Sequence, residues 1–143
     1  MSGAQGGKST LLRTTCVAAV LAQLGCPAPA AKLTLSPVDA IFTRIGATDR
    51  IISGESTFMV ECAECAAILR NATRNSLVIF DELGRGTSTF DGYAIAHAVL
   101  DHMVAQRRGR VLFATHYHPL NVEFAARPDV QLAHMGASCA SSA

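Results

Sequence analysis

Apolar and polar positions alternate along this chain in two periods, one helical and one extended, and the periods take turns. From Lys8 to Leu24, Leu, Val and Ala recur without an internal Gly or Pro, and Gly25 with Pro27 and Pro29 is a stop signal; the spacing predicts a helix over about 8–24. Lys32-Leu33-Thr34-Leu35 alternates like a short strand, Ser36-Pro37 turns the chain, and Ala40 to Ile45 is a second strand. Gly46 to Glu55 is a polar loop. From Ser56 onward Phe58, Val60, Cys62, Cys65, Ile68 and Leu69 return to helical spacing, which fades between Asn71 and Asn75. Ser76 to Glu82 holds an unbroken apolar run ending in two carboxylates, as in a strand covered on both faces. A loop rich in Gly, Thr and Ser leads to a helix over about Phe90 to Gln106, and Arg110 to His116 reads as another buried strand. Residues 130–135 are read as a last short strand. The alternation predicts an α/β layered domain with a mainly parallel sheet over 1–136, followed by an unpatterned tail over 137–143.

Composition narrows the picture. A chain of 143 residues, 50% of them apolar, suits one domain with a real core. A net charge of +1 with 16% charged residues gives no overall electrostatic reason to expect nucleic acid or an acidic membrane as a direct partner. The local cluster Arg107, Arg108 and Arg110 reads as cations ending a helix. Five cysteines, an odd number unevenly spaced, argue for a reducing compartment. Cys62-Ala63-Glu64-Cys65 has the spacing of a redox or zinc pair, but with no second such pair and no histidine pair it reads as two packing residues one helical turn apart. No apolar run is long enough to span a bilayer and no signal-peptide layout opens the chain, so the expectation is a soluble, intracellular protein with no membrane partner.

The candidate chemistry begins at Gly6-Gly7-Lys8-Ser9-Thr10, at the start of the first helix. Glycines there let the main chain wrap a phosphate, where the helix offers unpaired N–H groups and partial positive charge. Lys8 would reach the β- and γ-phosphates of ATP, Ser9 would place its hydroxyl on Mg²⁺, and Thr10 would bond a neighbouring phosphate oxygen. Asp81 and Glu82 end the apolar strand: Asp81 would hold the magnesium or its water shell, and Glu82 would polarise a water for in-line attack. Thr115-His116 ends the next strand, on the sheet edge where α/β domains bind ligands, and places His116 at the γ-phosphate or the attacking water. The segment from Gly84 to Gly92, including Thr87, Ser88, Thr89 and Asp91, is too polar for burial and is read as an interface loop beside the nucleotide.

Four words then converge on one family: Gly6-Gly7-Lys8-Ser9-Thr10-Leu11-Leu12-Arg13, Gly54-Glu55-Ser56-Thr57-Phe58-Met59-Val60-Glu61, Asp81 to Gly92, and Phe113-Ala114-Thr115-His116-Tyr117. In that order they resemble the ATPase domain of the MutS DNA mismatch-repair family. Leu35 to Asp39, Ile41 to Ala47 and His116 to Leu120 are similar to its eukaryotic large-subunit branch, which recognises base mismatches and small loops as a heterodimer. The resemblance implies a P-loop NTPase fold of the ABC type, with ATP and Mg²⁺ as cofactors and Glu82 and His116 in catalysis. Each nucleotide would be completed by a second MutS-family subunit, Ser56 reaching across to the partner's γ-phosphate. A hydroxyl at that helix start also caps its own helix, and one hydroxyl can do both. The segment through Phe90 and Asp91 resembles the loop that connects the two sites. Mismatched DNA would be met through domains absent from this chain, in the nucleus.

The departures matter as well. Family loops read Gly-Pro-Asn-Met before Gly-Gly-Lys-Ser-Thr, whereas Ser2-Gly3-Ala4-Gln5 stands here, and no strand precedes the loop. A left-handed turn at position 2 would cost a serine about 1 kcal/mol or more. The expectation is therefore an ATPase module that is a fragment, a truncated gene model or a degenerate copy. An alternative is a remnant that binds nucleotide weakly and acts only as an interaction piece. A transporter-type ABC ATPase would carry Leu-Ser-Gly-Gly-Gln where this chain has Ser53-Gly54-Glu55-Ser56-Thr57-Phe58.

Overall fold

The computed structural model describes residues 7–46, 57–107 and 109–136. Its centre is the strand β2 (Leu77–Asp81), buried at every residue, with β1 (Ile41–Ile45) and β3 (Arg110–Ala114) parallel to it on either side. The three-stranded order is β1-β2-β3. The apolar run requires this placement, because only a strand covered on both faces hides Val78, Ile79 and Phe80, each at 0% exposure. Burying each of these side chains contributes about 1.5–3 kcal/mol.

Period-two alternation in β2 divides the core between two layers. Ile79 turns to α1 (Lys8–Gln23), where it clusters with Leu12 and with Ala114 of β3. Val78 and Phe80 turn the other way and cluster with Cys65 and Ile68 of α2 (Thr57–Asn71), Val99 of α3 (Thr89–His102) and Met103. Helices on both faces of a parallel sheet are the α/β layering expected from the sequence. α1 stops where Gly25 predicts: Cys26 N–H donates to Leu21 C=O at 2.9 Å and Gly25 N–H to Ala22 C=O at 3.2 Å, closing the helix end. No described helix is long and apolar enough to cross a membrane.

Several sequence expectations need correction. Lys32-Leu33-Thr34-Leu35 is not a strand: Leu33 is 41% exposed, and this stretch pairs with none of the three strands. Four alternating residues supply no edge to pair with. Residues 130–135 are likewise irregular, with Leu132 and Met135 largely exposed and only Val130 packed, against the cluster of Ala96, Tyr117, Leu120 and Phe124. The third helix is α-helical only to His102; Met103–Arg107 continues it as a π-helical turn. One short element was not foreseen at all, α4 (His118–Phe124), with Pro119 in its first turn, where a missing N–H is no loss.

At the amino-terminal edge of the sheet a polar staple fastens the irregular stretch before β1. Ser76, fully buried, donates to Asp39 Oδ1 at 2.7 Å, and Thr73 donates to Asp39 Oδ2. These two bonds hold the Asp39 carboxyl below its ordinary pKa. Arg110 does not end a helix, as its cluster suggested; it opens β3 and donates to the carbonyls of Ser36, Pro37 and Asn75.

The described cysteines differ in burial. Cys65 is buried in the core against α2's neighbours, and burial pushes its thiol up to about 12. Cys26 is exposed. A thiol-alkylating reagent at pH 8, read by peptide mapping, is expected to label Cys26 within minutes and to spare Cys65 until the chain is unfolded, since burial both shields the Cys65 thiol and keeps it protonated.

Candidate functional site at the carboxyl edge of the sheet

The strand register places Asp81, Glu82 and His116 at one edge of the sheet. Asp81 is paired in register with Ile45 on one side and Ala114 on the other, so the carboxyl ends of all three strands form one edge. Glu82 follows directly, its N–H donating to Ala114 C=O at 2.9 Å, and His116 stands two residues past Ala114. α1 reaches the same edge from the other direction. Leu12 packs on Ile79 and Ala114, and Lys8, one helical turn earlier on the same helix face, lies toward that edge.

Local sequence explains the start of α1. Gly7 is its N-cap at φ 70°, a left-handed conformation that a side chain resists, and no side chain caps the helix. The first turn therefore presents N–H groups and the positive end of the helix dipole together with Lys8, Ser9 and Thr10. No carboxylate stands in that turn to neutralise it.

Asp81 belongs to the α1 face of β2, sharing its parity with Ile79. It is only 7% exposed, and its Oδ1 is buried with no hydrogen-bond partner. A buried, unpaired carboxylate oxygen costs several kcal/mol unless a cation or donor meets it. A carboxylate oxygen of this kind suits a hard cation such as magnesium, and Asp81, with the Ser9 hydroxyl on the helix that packs on this sheet face, would be the residues to hold it.

Glu82 has φ 54°, the one non-glycine residue at positive φ among the described residues. Such conformations cost about 1–3 kcal/mol and persist where the surroundings fix them. Its side chain pairs with the exposed Arg85. A surface pair of this kind is worth roughly 0–1 kcal/mol, so a ligand can displace it. His116 is exposed, its ring 4.2 Å from that of Tyr117.

The turn after Glu82 is held from three sides. Glu61 of α2, 4% exposed, accepts the Gly84 N–H on Oε1 at 3.1 Å and meets the buried Arg44 of β1 at 3.3 Å; Arg44 also approaches Glu64 at 3.2 Å. Tyr117 donates its hydroxyl to Gly84 C=O at 3.0 Å, and its burial, with the negative charge of Glu61, raises the phenol's pKa. Gly84 itself, at φ 88°, lies against Gly92 of α3.

The expected interface loop is shorter than the sequence suggested. Ser88 is the N-cap of α3, accepting the Asp91 N–H at 3.2 Å and donating to Asp91 Oδ2 at 2.7 Å, so Thr89 and Asp91 are first-turn helical residues. The Ser-x-x-Asp spacing is a capping signal in its own right. Thr87 and Ser88 remain in the connection, and Phe90 is 88% exposed beside them. Gly6 and Ser56 lie outside the described residues. Sequence reasoning missed Arg44, Glu61 and Tyr117 as organising residues. The available signal was an acidic side chain at Glu61, on the helix stripe shared with Phe58, Cys65 and Ile68.

The family described as MutS domain V matches residues 2–143. The chain is 64% identical over 130 residues to the DNA mismatch repair protein MSH7 of Arabidopsis thaliana, covering 91% of this chain and 12% of that protein. It is 55% identical over 130 residues to human Msh6, covering 91% of this chain and 10% of the relative, and 60% identical over 114 residues to MutS of Treponema denticola, covering 80% and 13%. It thus spans about a tenth of the length of the curated relatives it matches. With nearly its whole length matched, the chain belongs to the MutS domain V family.

Proposed function

We propose that this domain binds and hydrolyses ATP with Mg²⁺, as the nucleotide module of a DNA mismatch-repair protein. The observation that carries the reading is the buried Asp81 carboxylate oxygen without a partner, on the same sheet face as the uncapped, Lys8-bearing start of α1. Gly6, Gly7, Lys8 and Thr10 would grip the phosphates, with Ser9 and Asp81 holding the metal. Magnesium, when bound, supplies positive charge against the phosphate oxygens. Glu82 takes the proton of the attacking water on its carboxylate, and His116, at the adjacent strand end, holds that water or the terminal phosphate.

A second MutS-family subunit is the proposed partner, with Ser56 acting across the interface. The support on this chain is Phe90, a fully presented aromatic ring next to the capped turn of α3. Mismatched DNA falls to other parts of the intact proteins, and the nucleus is the proposed compartment.

Titrating Mg-ATP against the purified chain tests the reading. Lys8→Ala is expected to weaken binding by at least about tenfold, the scale of one lost charge-assisted contact. Equal binding by the two proteins removes the site. Turnover that appears only after a MutS-type partner is added supports a site shared between subunits.

A further inference from the structure

Gly84 is the point where the catalytic edge meets the rest of the domain. Its N–H is taken by Glu61 Oε1 at 3.1 Å and its C=O by the Tyr117 hydroxyl at 3.0 Å, and both side chains are buried. Its Cα rests on the backbone of Gly92, where an added Cβ would stand 2.4 Å from Gly92 O. Three elements that do not follow one another in sequence, α2, α3 and the segment after β3, therefore close on one residue. That residue lies two positions after Glu82, and the intervening turn contains two left-handed conformations, Glu82 at φ 54° and Gly84 at φ 88°. A turn of this kind does not hold its shape by local preference. Something outside it must.

We propose that Glu61 and Tyr117 are positioning residues for hydrolysis, gripping Gly84 by its N–H and C=O and so setting where the Glu82 carboxylate stands. The inference rests on the reading of Glu82 as the base, and it extends to the start of α2. A Cβ on Gly86 would lie 3.6 Å from both Glu61 Oε2 and Thr57 Oγ1, so the loop runs over the first turn of α2. Glu61 sits one turn further along that helix and is anchored to the sheet by Arg44. A displacement of α2 is thus carried through Glu61 to Gly84 and from there to Glu82. Neither Glu61 nor Tyr117 needs to touch nucleotide for this.

The test separates the grip from the chemistry. Amide hydrogen exchange followed by NMR on the whole chain, without nucleotide, reads the grip alone. Tyr117→Phe and Glu61→Ala are each expected to raise exchange at Gly84 and its neighbours by about tenfold, while Val78 to Phe80 keep their protection. Glu61→Gln retains an oxygen that accepts from Gly84 N–H and is expected to preserve the protection that Glu61→Ala loses. Unchanged exchange at Gly84 in Tyr117→Phe and Glu61→Ala overturns the grip. For the chemistry, Tyr117→Phe is expected to lower kcat for ATP hydrolysis by about tenfold with KM within about twofold, since the ring stays and only the hydroxyl leaves. A raised KM with unchanged kcat overturns the positioning role. A wild-type chain that binds and hydrolyses no ATP, alone or with a MutS-type partner, defeats the proposed function, and the exchange result still decides whether the grip exists.

Discussion

Gly84→Ala is expected to destabilise the domain by about 3 kcal/mol or more, lowering the thermal midpoint by about 10 °C. Two separate costs add at this residue. Its φ of 88° lies in the left-handed region, where a side chain meets its own carbonyl, and the new Cβ would press on backbone atoms of Gly92, with O at 2.4 Å and both C and Cα at 2.7 Å. Backbone cannot rotate away as a flexible side chain can, so α3 or the turn must shift. Gly92→Ala supplies the mirror experiment: its Cβ would stand 2.1 Å from Gly84 O and 2.3 Å from the Tyr117 hydroxyl. Both variants should fall together in urea or thermal unfolding. Wild-type stability in either one would mean that the turn and α3 are not pressed together as described.

Glu82→Gln is expected to reduce ATP hydrolysis by a factor of about 10²–10⁴, the usual range for loss of a general base. The amide has the size and shape of the carboxylate but cannot accept the proton. Mg-ATP binding should persist, because Lys8, Ser9 and Asp81 are untouched. Stability should change by less than about 1 kcal/mol: the left-handed backbone is no harder for Gln than for Glu, and only the surface pair with Arg85 weakens. Single-turnover release of phosphate, set beside equilibrium binding, separates the two effects. Full hydrolysis by this variant would strip Glu82 of its role and leave the binding site standing.

The parts of this fold written in adjacent residues were legible in advance. Ser76 to Glu82 could only be a strand covered on both faces, and Gly25 marked the end of α1 to within a residue or two. The placement of Asp81, Glu82 and His116 on one edge followed from parallel strands alone, since parallel strands bring like ends together. What the sequence hid depends on distance along the chain. Glu61 reaches a backbone amide 23 residues away, and Tyr117 a carbonyl 33 residues away, and no local period records either contact. Arg44 was read only as one residue of the strand Ala40 to Ile45; buried between two glutamates of α2, it ties that helix to the sheet. Lys32 to Leu35 misled for the opposite reason, because alternation describes a strand's faces and says nothing of whether a neighbour is there to bond it. Ser88 was read for its company of threonines and glycines, and its capping geometry belonged to the helix that follows.

The staple of Asp39, Ser76 and Arg110 sits at the far end of the same strands that carry Asp81 and Glu82. Inherited variants in this domain should therefore divide into two kinds that a cell can tell apart. Changes at the staple leave too little protein, because marginal folding is cleared by proteolysis. A change confined to the Glu82 carboxylate at the opposite end, which takes part in no core contact, should leave normal amounts of protein, and only an assay of what the protein does, never one of its abundance, would find it.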